Sequence, residues 1–256
     1  MSIFETETIV LKQFDLGESD KIITFYTKDY GKIRAVARGV RKSKSSISGV
    51  VLPFTYNYTT FYQGRSLDRI NKIKNIFSFV KLREDLTKTA YASFMAELIE
   101  KVGLEGESNQ ALFSLLLSSF HQMINSNDED IKKIEISFKL RIIGIMGFKP
   151  ELSNCIYCDK ELIHTGRNIF DIEQGGLVCS ECSNQISQSA YRFVITGESI
   201  KIMMKILSSG LKPLERLKIS KNSYNQLDEL TNKFIMYHLD LNLKSLVFLN
   251  MIKKMG

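Results

Sequence analysis

The chain has 256 residues, 44% of them hydrophobic, which is enough for packed cores and sets disorder aside as the starting assumption. No run approaches the roughly 18 consecutive apolar residues of a membrane span, and Glu5 and Glu7 stand where a secretory leader needs a basic and then apolar stretch, so a cytoplasmic protein with no membrane role is expected. The net charge of +7, with a pI near 9.1, favours a polyanionic partner, and it is organised by segment: Lys and Arg number 13 against 7 Asp and Glu over residues 1–80, 12 against 16 over 81–196, and 10 against 5 over 197–256.

In chain order, the first 80 residues read as β-structure. Thr8 to Phe14, Lys21 to Thr27 and Lys32 to Val40 are short β-rich runs punctuated by Gly17, Gly31 and Gly39. Phe54 to Tyr62 mostly alternates, with Phe54, Tyr56, Tyr58 and Tyr62 on one face and Thr55, Asn57 and Thr59 on the other. The aromatic face is expected to form the core, so no base-stacking residue is assigned, and Tyr26 and Tyr30 stay ambiguous. Leu67 to Phe77 supplies a fifth strand. Five such strands suit a small barrel or a sandwich, the OB-fold being one such barrel.

The periodicity then becomes helical. Leu82, Leu86, Ala90, Phe94, Leu98 and Val102 recur at four-residue steps and predict one amphipathic helix ending near Gly103. A second helix is expected from Gln110 to Ile124. A third opens at Asp128-Glu129-Asp130, where acids suit the positive end of the helix dipole, and stops at Gly147 before Pro150. Helical spacing returns from Gly197, through Ile200 to Leu207 and Tyr224 to Leu249.

Between these helices lie all four cysteines: Cys155 and Cys158, twenty residues, then Cys179 and Cys182. Two thiolates two residues apart can grip one ion from a tight turn, and two such turns close a tetrahedron. A structural zinc site is the expectation, since four sulfurs leave no coordination position for water or substrate. Two disulfides would need an oxidising compartment, and a redox C-x-x-C pair would need no matching second pair. His164, inside the loop, reads as a surface residue.

Residues 32–44 carry Lys32, Arg34, Arg38, Arg41, Lys42 and Lys44 without a single acid, passing from a strand into the Ser-rich stretch Ser43 to Ser48. Cations of this kind neutralise phosphates and release counterions, and serine hydroxyls add short-range donors, so DNA contact is expected there. Catalytic signatures are missing: no G-x-x-x-x-G-K-[ST], G-x-G-x-x-G, G-x-S-x-G or H-E-x-x-H occurs, and His121, His164 and His238 sit in separate segments. A protein that is not an enzyme is the expectation.

Several ordered motifs resemble the RecO family of bacterial recombination mediators. They are Glu7-Thr8-Ile9-Val10-Leu11, Gly17-Glu18-Ser19-Asp20-Lys21-Ile22, Thr27, Gly31-Lys32 and Ala37-Arg38-Gly39-Val40-Arg41, then Gly147-Phe148-Lys149-Pro150-Glu151-Leu152 before Cys155-Ile156-Tyr157-Cys158, and Gly175-Gly176-Leu177-Val178-Cys179. The resemblance covers residues 5 to 185 and implies an α+β multidomain fold. An N-terminal OB-fold barrel (1–80) would be followed by a helical domain (81–149 and 190–256) carrying an inserted four-cysteine zinc module (150–189). It further implies a DNA repair and recombination role, binding of single- and double-stranded DNA, annealing of complementary strands, partnership with RecR and with the C-terminal tail of single-strand-binding protein, recombinase loading, and a cytoplasmic, nucleoid-associated location. Lys201, Lys205, Lys212 and Arg216 are the cations expected to meet the carboxylates of that tail. The competing reading, from composition and cysteines alone, is a zinc-ribbon transcription or RNA-binding factor, which sequence-specific duplex binding would favour.

Overall fold

The computed structural model describes residues 2–185, 191–211 and 217–255. Five strands form a closed barrel in the order β1-β2-β3-β5-β4: β1 Ile3–Leu16, β2 Asp20–Thr27, β3 Gly31–Ala37, β4 Tyr56–Tyr62 and β5 Asp68–Phe77. All neighbours are antiparallel except β3 and β5, whose short parallel pairing of Ala35 with Asp68 and Val36 with Arg69 completes the closure. This is the expected OB-like barrel, and full closure leaves no sheet edge open. Gly31 opens β3 with φ +66, and a Cβ there would lie 2.3 Å from the Glu107 carbonyl oxygen, so only glycine fits.

The barrel interior reverses the expected orientation of β4. Asn57, Thr59 and Phe61 are fully buried, Tyr58 is exposed, and Tyr56 and Tyr62 are half-buried. Phe61 joins Val10, Ile23, Phe25, Ile33 and Ala35 in the apolar part of the core. The polar groups are accommodated by hydrogen bonds within the wall: Asn57 Nδ2 donates to the Val50 carbonyl (2.9 Å), Asn57 Oδ1 accepts from Asn75 Nδ2 (3.0 Å), and the Thr8 and Thr59 hydroxyls lie 2.8 Å apart. Tyr56 on the outer face is covered in part, its ring 6.2 Å from that of Phe113 and its hydroxyl donating to Glu7. Phe54, at φ 70, precedes the strand and packs against Phe120.

Contacts divide the chain into two compact units, residues 1–126 with 243–256, and residues 127–242. In the first, the barrel is joined by α1 Val80–Glu84, α2 Leu86–Val102, α3 Gln110–Met123 and the last helix, which spans Lys244–Met255. The single helix expected from Leu82 to Val102 is broken at Asp85, whose carboxylate accepts from Lys88 N as an N-cap, and Leu86 is exposed in place of joining the buried stripe. Glu97 of α2 performs the same service for the last helix, accepting from the backbone N–H groups of Lys244 (3.2 Å) and Ser245 (2.7 Å) and from the Ser245 hydroxyl. Replacing Glu97 with alanine is expected to cost about 1 kcal/mol of docking, read as faster amide hydrogen exchange across Lys244–Met255 with the barrel strands unchanged.

The second unit contains α4 Asp128–Ile145, β6 Arg167–Asp171, β7 Gly176–Val178, α5 Ser180–Gln185, β8 Arg192–Thr196, α6 Gly197–Ser208 and α7 Lys221–Leu239; the last helix of the chain is therefore α8. β7, β6 and β8 make a three-stranded antiparallel sheet. α4, α6 and α7 pack on one another through Leu140, Ile143, Met203, Leu230 and Phe234. Within that core Lys139 is fully buried, its Nζ 2.6 Å from Glu135 and 2.5 Å from Asp228. The continuous periodicity from Tyr224 to Leu249 resolves into two helices parted at Asp240, which takes a left-handed conformation at φ 47.

Candidate metal centre and nucleic-acid surface

The two cysteine pairs occupy two turns of the second unit. The first turn is closed by Cys155 N donating to the Lys160 carbonyl and Asp159 N to the Cys155 carbonyl, both at 2.9 Å, with Asp159 left-handed at φ 59. The second runs from the end of β7 into α5, where Ser183 N donates to the Cys179 carbonyl. Ile156 N and the Leu177 carbonyl join the turns at 3.0 Å, and Gly176 lets them approach: a Cβ there would meet Ile156 Cγ2 at 2.3 Å. Cys155 and Cys179 are buried with Val178, while Cys158 is exposed.

The four sulfurs lie within 4.8 Å of one another, and Cys158 and Cys179 Sγ are 3.7 Å apart. Sulfurs about 2.3 Å from one tetrahedral ion stand roughly 3.8 Å apart, so the spacing fits a shared ion. Backbone N–H groups already point at the sulfurs: Cys179 N donates to Cys155 Sγ (3.3 Å) and Cys182 N to Cys179 Sγ (3.4 Å). Burial opposes ionisation of Cys155, yet the N–H groups of Cys179, Tyr157 and Cys158 outweigh it and draw the thiol down to about 6. Hydrogen bonds to Cys179 and Cys158 push Cys182 up to about 12. Sulfurs this close resist ionising together until a cation shares their charge. His164 is not a member of the cluster.

On the barrel, Lys32 and Arg34 project outward from β3, and the remaining expected cations follow it in the β3–β4 connection. That connection is held to the barrel. Val40 and Val51 enter the core, with Ile47 and Val50 packed against it, while Gly39 N donates to Asp20 Oδ1 (2.8 Å) and Arg41 N to the Ser19 carbonyl (3.0 Å). The Asp20 carboxyl is held below its ordinary range by the Gly39 N–H, then the Ser19 hydroxyl, which outweigh desolvation, with the fields of Arg38 and Lys42 adding less.

The six cations differ in how far they are engaged. Lys32 Nζ donates to the Glu100 carbonyl (2.8 Å), Arg34 lies 3.4 Å from Glu105, and Arg41 reaches both Asp15 (3.4 Å) and the Gly17 carbonyl (2.7 Å). Arg38, Lys42 and Lys44 are exposed and form no ion pair among the described residues. Lys201 and Lys205 share an exposed face of α6, whereas Lys212 and Arg216 lie outside the described residues. No helix among the described residues is long and apolar enough to cross a membrane.

Comparison with known proteins bears on the same two regions. The family described as "Recombination protein O N terminal" matches residues 1–79, and "Recombination protein O C terminal" matches residues 83–246. The chain is 33% identical to the DNA repair protein RecO of Alkaliphilus metalliredigens, over 95% of this chain and 97% of that one. It is 32% identical to those of Pelotomaculum thermopropionicum (98% and 94%) and Desulforamulus reducens (99% and 96%). With both family regions matched in order and relatives similar from end to end, the chain belongs to the RecO family of DNA repair proteins.

Proposed function

We propose that the protein is a recombination mediator that binds DNA through its barrel, anneals complementary single strands and, with RecR, helps to load recombinase onto DNA coated by single-strand-binding protein. The observation that carries this reading is the pinned β3–β4 connection, which holds Arg38, Lys42 and Lys44 exposed and in no ion pair among the described residues. Two strands repel through their phosphates, and a cationic surface that screens both raises their encounter rate. Base pairing then reads the sequence. The protein makes and breaks no covalent bond, so no nucleophile or general base is required of it.

Zinc held by Cys155, Cys158, Cys179 and Cys182 would serve architecture, since four sulfurs complete its coordination. Lys201 and Lys205, with Lys212 and Arg216, are proposed to meet the acidic tail of single-strand-binding protein.

The deciding experiment is annealing of complementary oligonucleotides coated with intact or tail-deleted single-strand-binding protein, with salt added in steps. Acceleration that needs the tail and falls with salt is the expected result; pairing no faster than without the protein would overturn the reading. Replacing Arg38, Lys42 and Lys44 together with alanine is expected to reduce the slope of log affinity against log salt by about 2 for single strands. Fluorescence anisotropy at four or five salt concentrations measures it, and an unchanged slope would remove these residues from the interface.

A further inference from the structure

A groove of about 390 Å3 opens at the end of the barrel where β1 begins, lined in part by Phe4, Tyr30, Lys32, Arg34, Arg65 and Glu105. Its size lies within the roughly 300–1,000 Å3 range of small-ligand clefts. One wall is aromatic and rigid. Tyr30, 40% exposed, lies 4.8 Å from Phe4, which lies 5.2 Å from Phe61, which lies 5.5 Å from Phe25. Phe61 and Phe25 are fully buried, so the surface ring is braced by a series of rings that ends in the barrel core. Its backbone is fixed as well, because Tyr30 N donates to the Thr27 hydroxyl at 3.0 Å.

The backbone beside the ring is equally settled. Lys32 N donates to the Leu104 carbonyl at 2.9 Å, and Gly31 packs so tightly on residues 104 and 107 that no side chain fits between them. Arg34 is shared with Glu105, and Arg65, in the β4–β5 turn, is exposed with no ion pair among the described residues. A braced aromatic ring in one groove with two guanidinium groups has little rotational freedom left to lose on binding, and single-strand binders use such rings as stacking platforms.

We propose that this groove seats one unpaired base of a DNA strand on Tyr30, with Arg34 and Arg65 meeting the flanking phosphates, so that Tyr30 gives the barrel its selectivity for single strands. A base inside a duplex already has both faces stacked and cannot enter. The inference rests on the reading that the barrel binds DNA.

The chain contains no tryptophan, so a Tyr30→Trp variant reports from this position alone. Oligo(dT) is expected to quench its emission, and a blunt duplex at the same salt is expected to leave it unchanged. In parallel, Tyr30→Ala should weaken oligo(dT) binding about tenfold and duplex binding less than twofold, while Tyr30→Phe keeps wild-type affinity for both. Unquenched emission at saturating oligo(dT), equal losses on both DNA forms, or a phenylalanine variant as weak as alanine would overturn the platform. If wild-type protein binds both forms and Tyr30→Ala changes neither, the platform alone fails; if it binds neither, the DNA reading fails with it.

Discussion

Replacing Cys155 and Cys179 together with serine is expected to strip the protein of bound metal and to unfold the two cysteine turns, around Cys155–Lys160 and Cys179–Ser183. These turns have little else to hold them. Their buried cluster consists of Cys155, Val178 and Cys179 with four partly buried neighbours, Cys182 among them, whereas β6 is also held by β8 and by Phe170, fully buried against Phe234. So small a core does not offset the conformational entropy of ordering the chain, about 1–2 kcal/mol per residue for the backbone alone. Binding of a structural ion supplies roughly 10–16 kcal/mol in small four-ligand sites at neutral pH, and in such segments that is folding energy. Mass spectrometry of the native protein should find one zinc in the wild type and none in the variant. Amide exchange should show the two turns unprotected, at Ile156, Asp159 and Ser183, while β6 and β1 to β5 stay protected. A metal-free wild type, or unchanged protection of the cysteine turns in the variant, would dismiss the structural zinc.

The second large effect is expected at Lys139. Changing it to methionine removes the ammonium that stands between Glu135 and Asp228, and leaves the fully buried Glu135 with the Tyr224 hydroxyl at 2.8 Å and no cation at the centre of the cluster. Breaking a buried ion pair from one side costs about 3–5 kcal/mol, which lowers the melting temperature by roughly 10 °C in a protein of this size. Burial alone would pull the Lys139 pKa down, but Glu135 and Asp228 outweigh it and raise it. A cation with a raised pKa in the fold stabilises throughout the range below its unfolded value of about 10.4, and the contribution is lost only as pH rises through the folded value. The loss in the methionine variant should therefore be flat across pH 6–9. A companion variant with Glu135→Leu and Asp228→Leu added should recover most of the stability, because an apolar trio has no charge to desolvate. Lys139→Met melting within 2 °C of wild type would show that the cluster contributes little.

The barrel was legible from β-branched residues and glycines spaced along the first 80 positions, and so was the cysteine cluster from its two C-x2-C pairs. The orientation of β4 was not. An alternation of aromatic and polar residues states which residues share a face, but Asn57 and Thr59 turn inward because Asn75, Val50 and Thr8 satisfy them there, and those partners are distant in sequence. The break at Asp85 carried a signal that periodicity overrode, an Asp before Leu-Thr-Lys in good N-cap position. Strands β6 to β8 are three to five residues long, too short for a period to register. Glu135 and Lys139 sit four apart, as surface ion pairs on helices do, and only the packing of α4 against α7 reveals that they are interior. At the basic stretch, charge counting found all six cations yet could not divide them into those already engaged and those left outward.

The capping of α8 by Glu97 has a consequence for biosynthesis. The first unit needs residues from both sides of the second, so the ribosome must deliver everything from Asn127 to Asn242 before α8 can reach α2. The nascent barrel and α2 therefore wait with one flank open, while the intervening unit emerges complete and is free to fold first as a hairpin-like excursion of the chain. Because closing a longer loop costs only logarithmically more, the junctions at Ser126–Asn127 and Asn242–Leu243 are the places where added sequence would burden assembly of the barrel unit least.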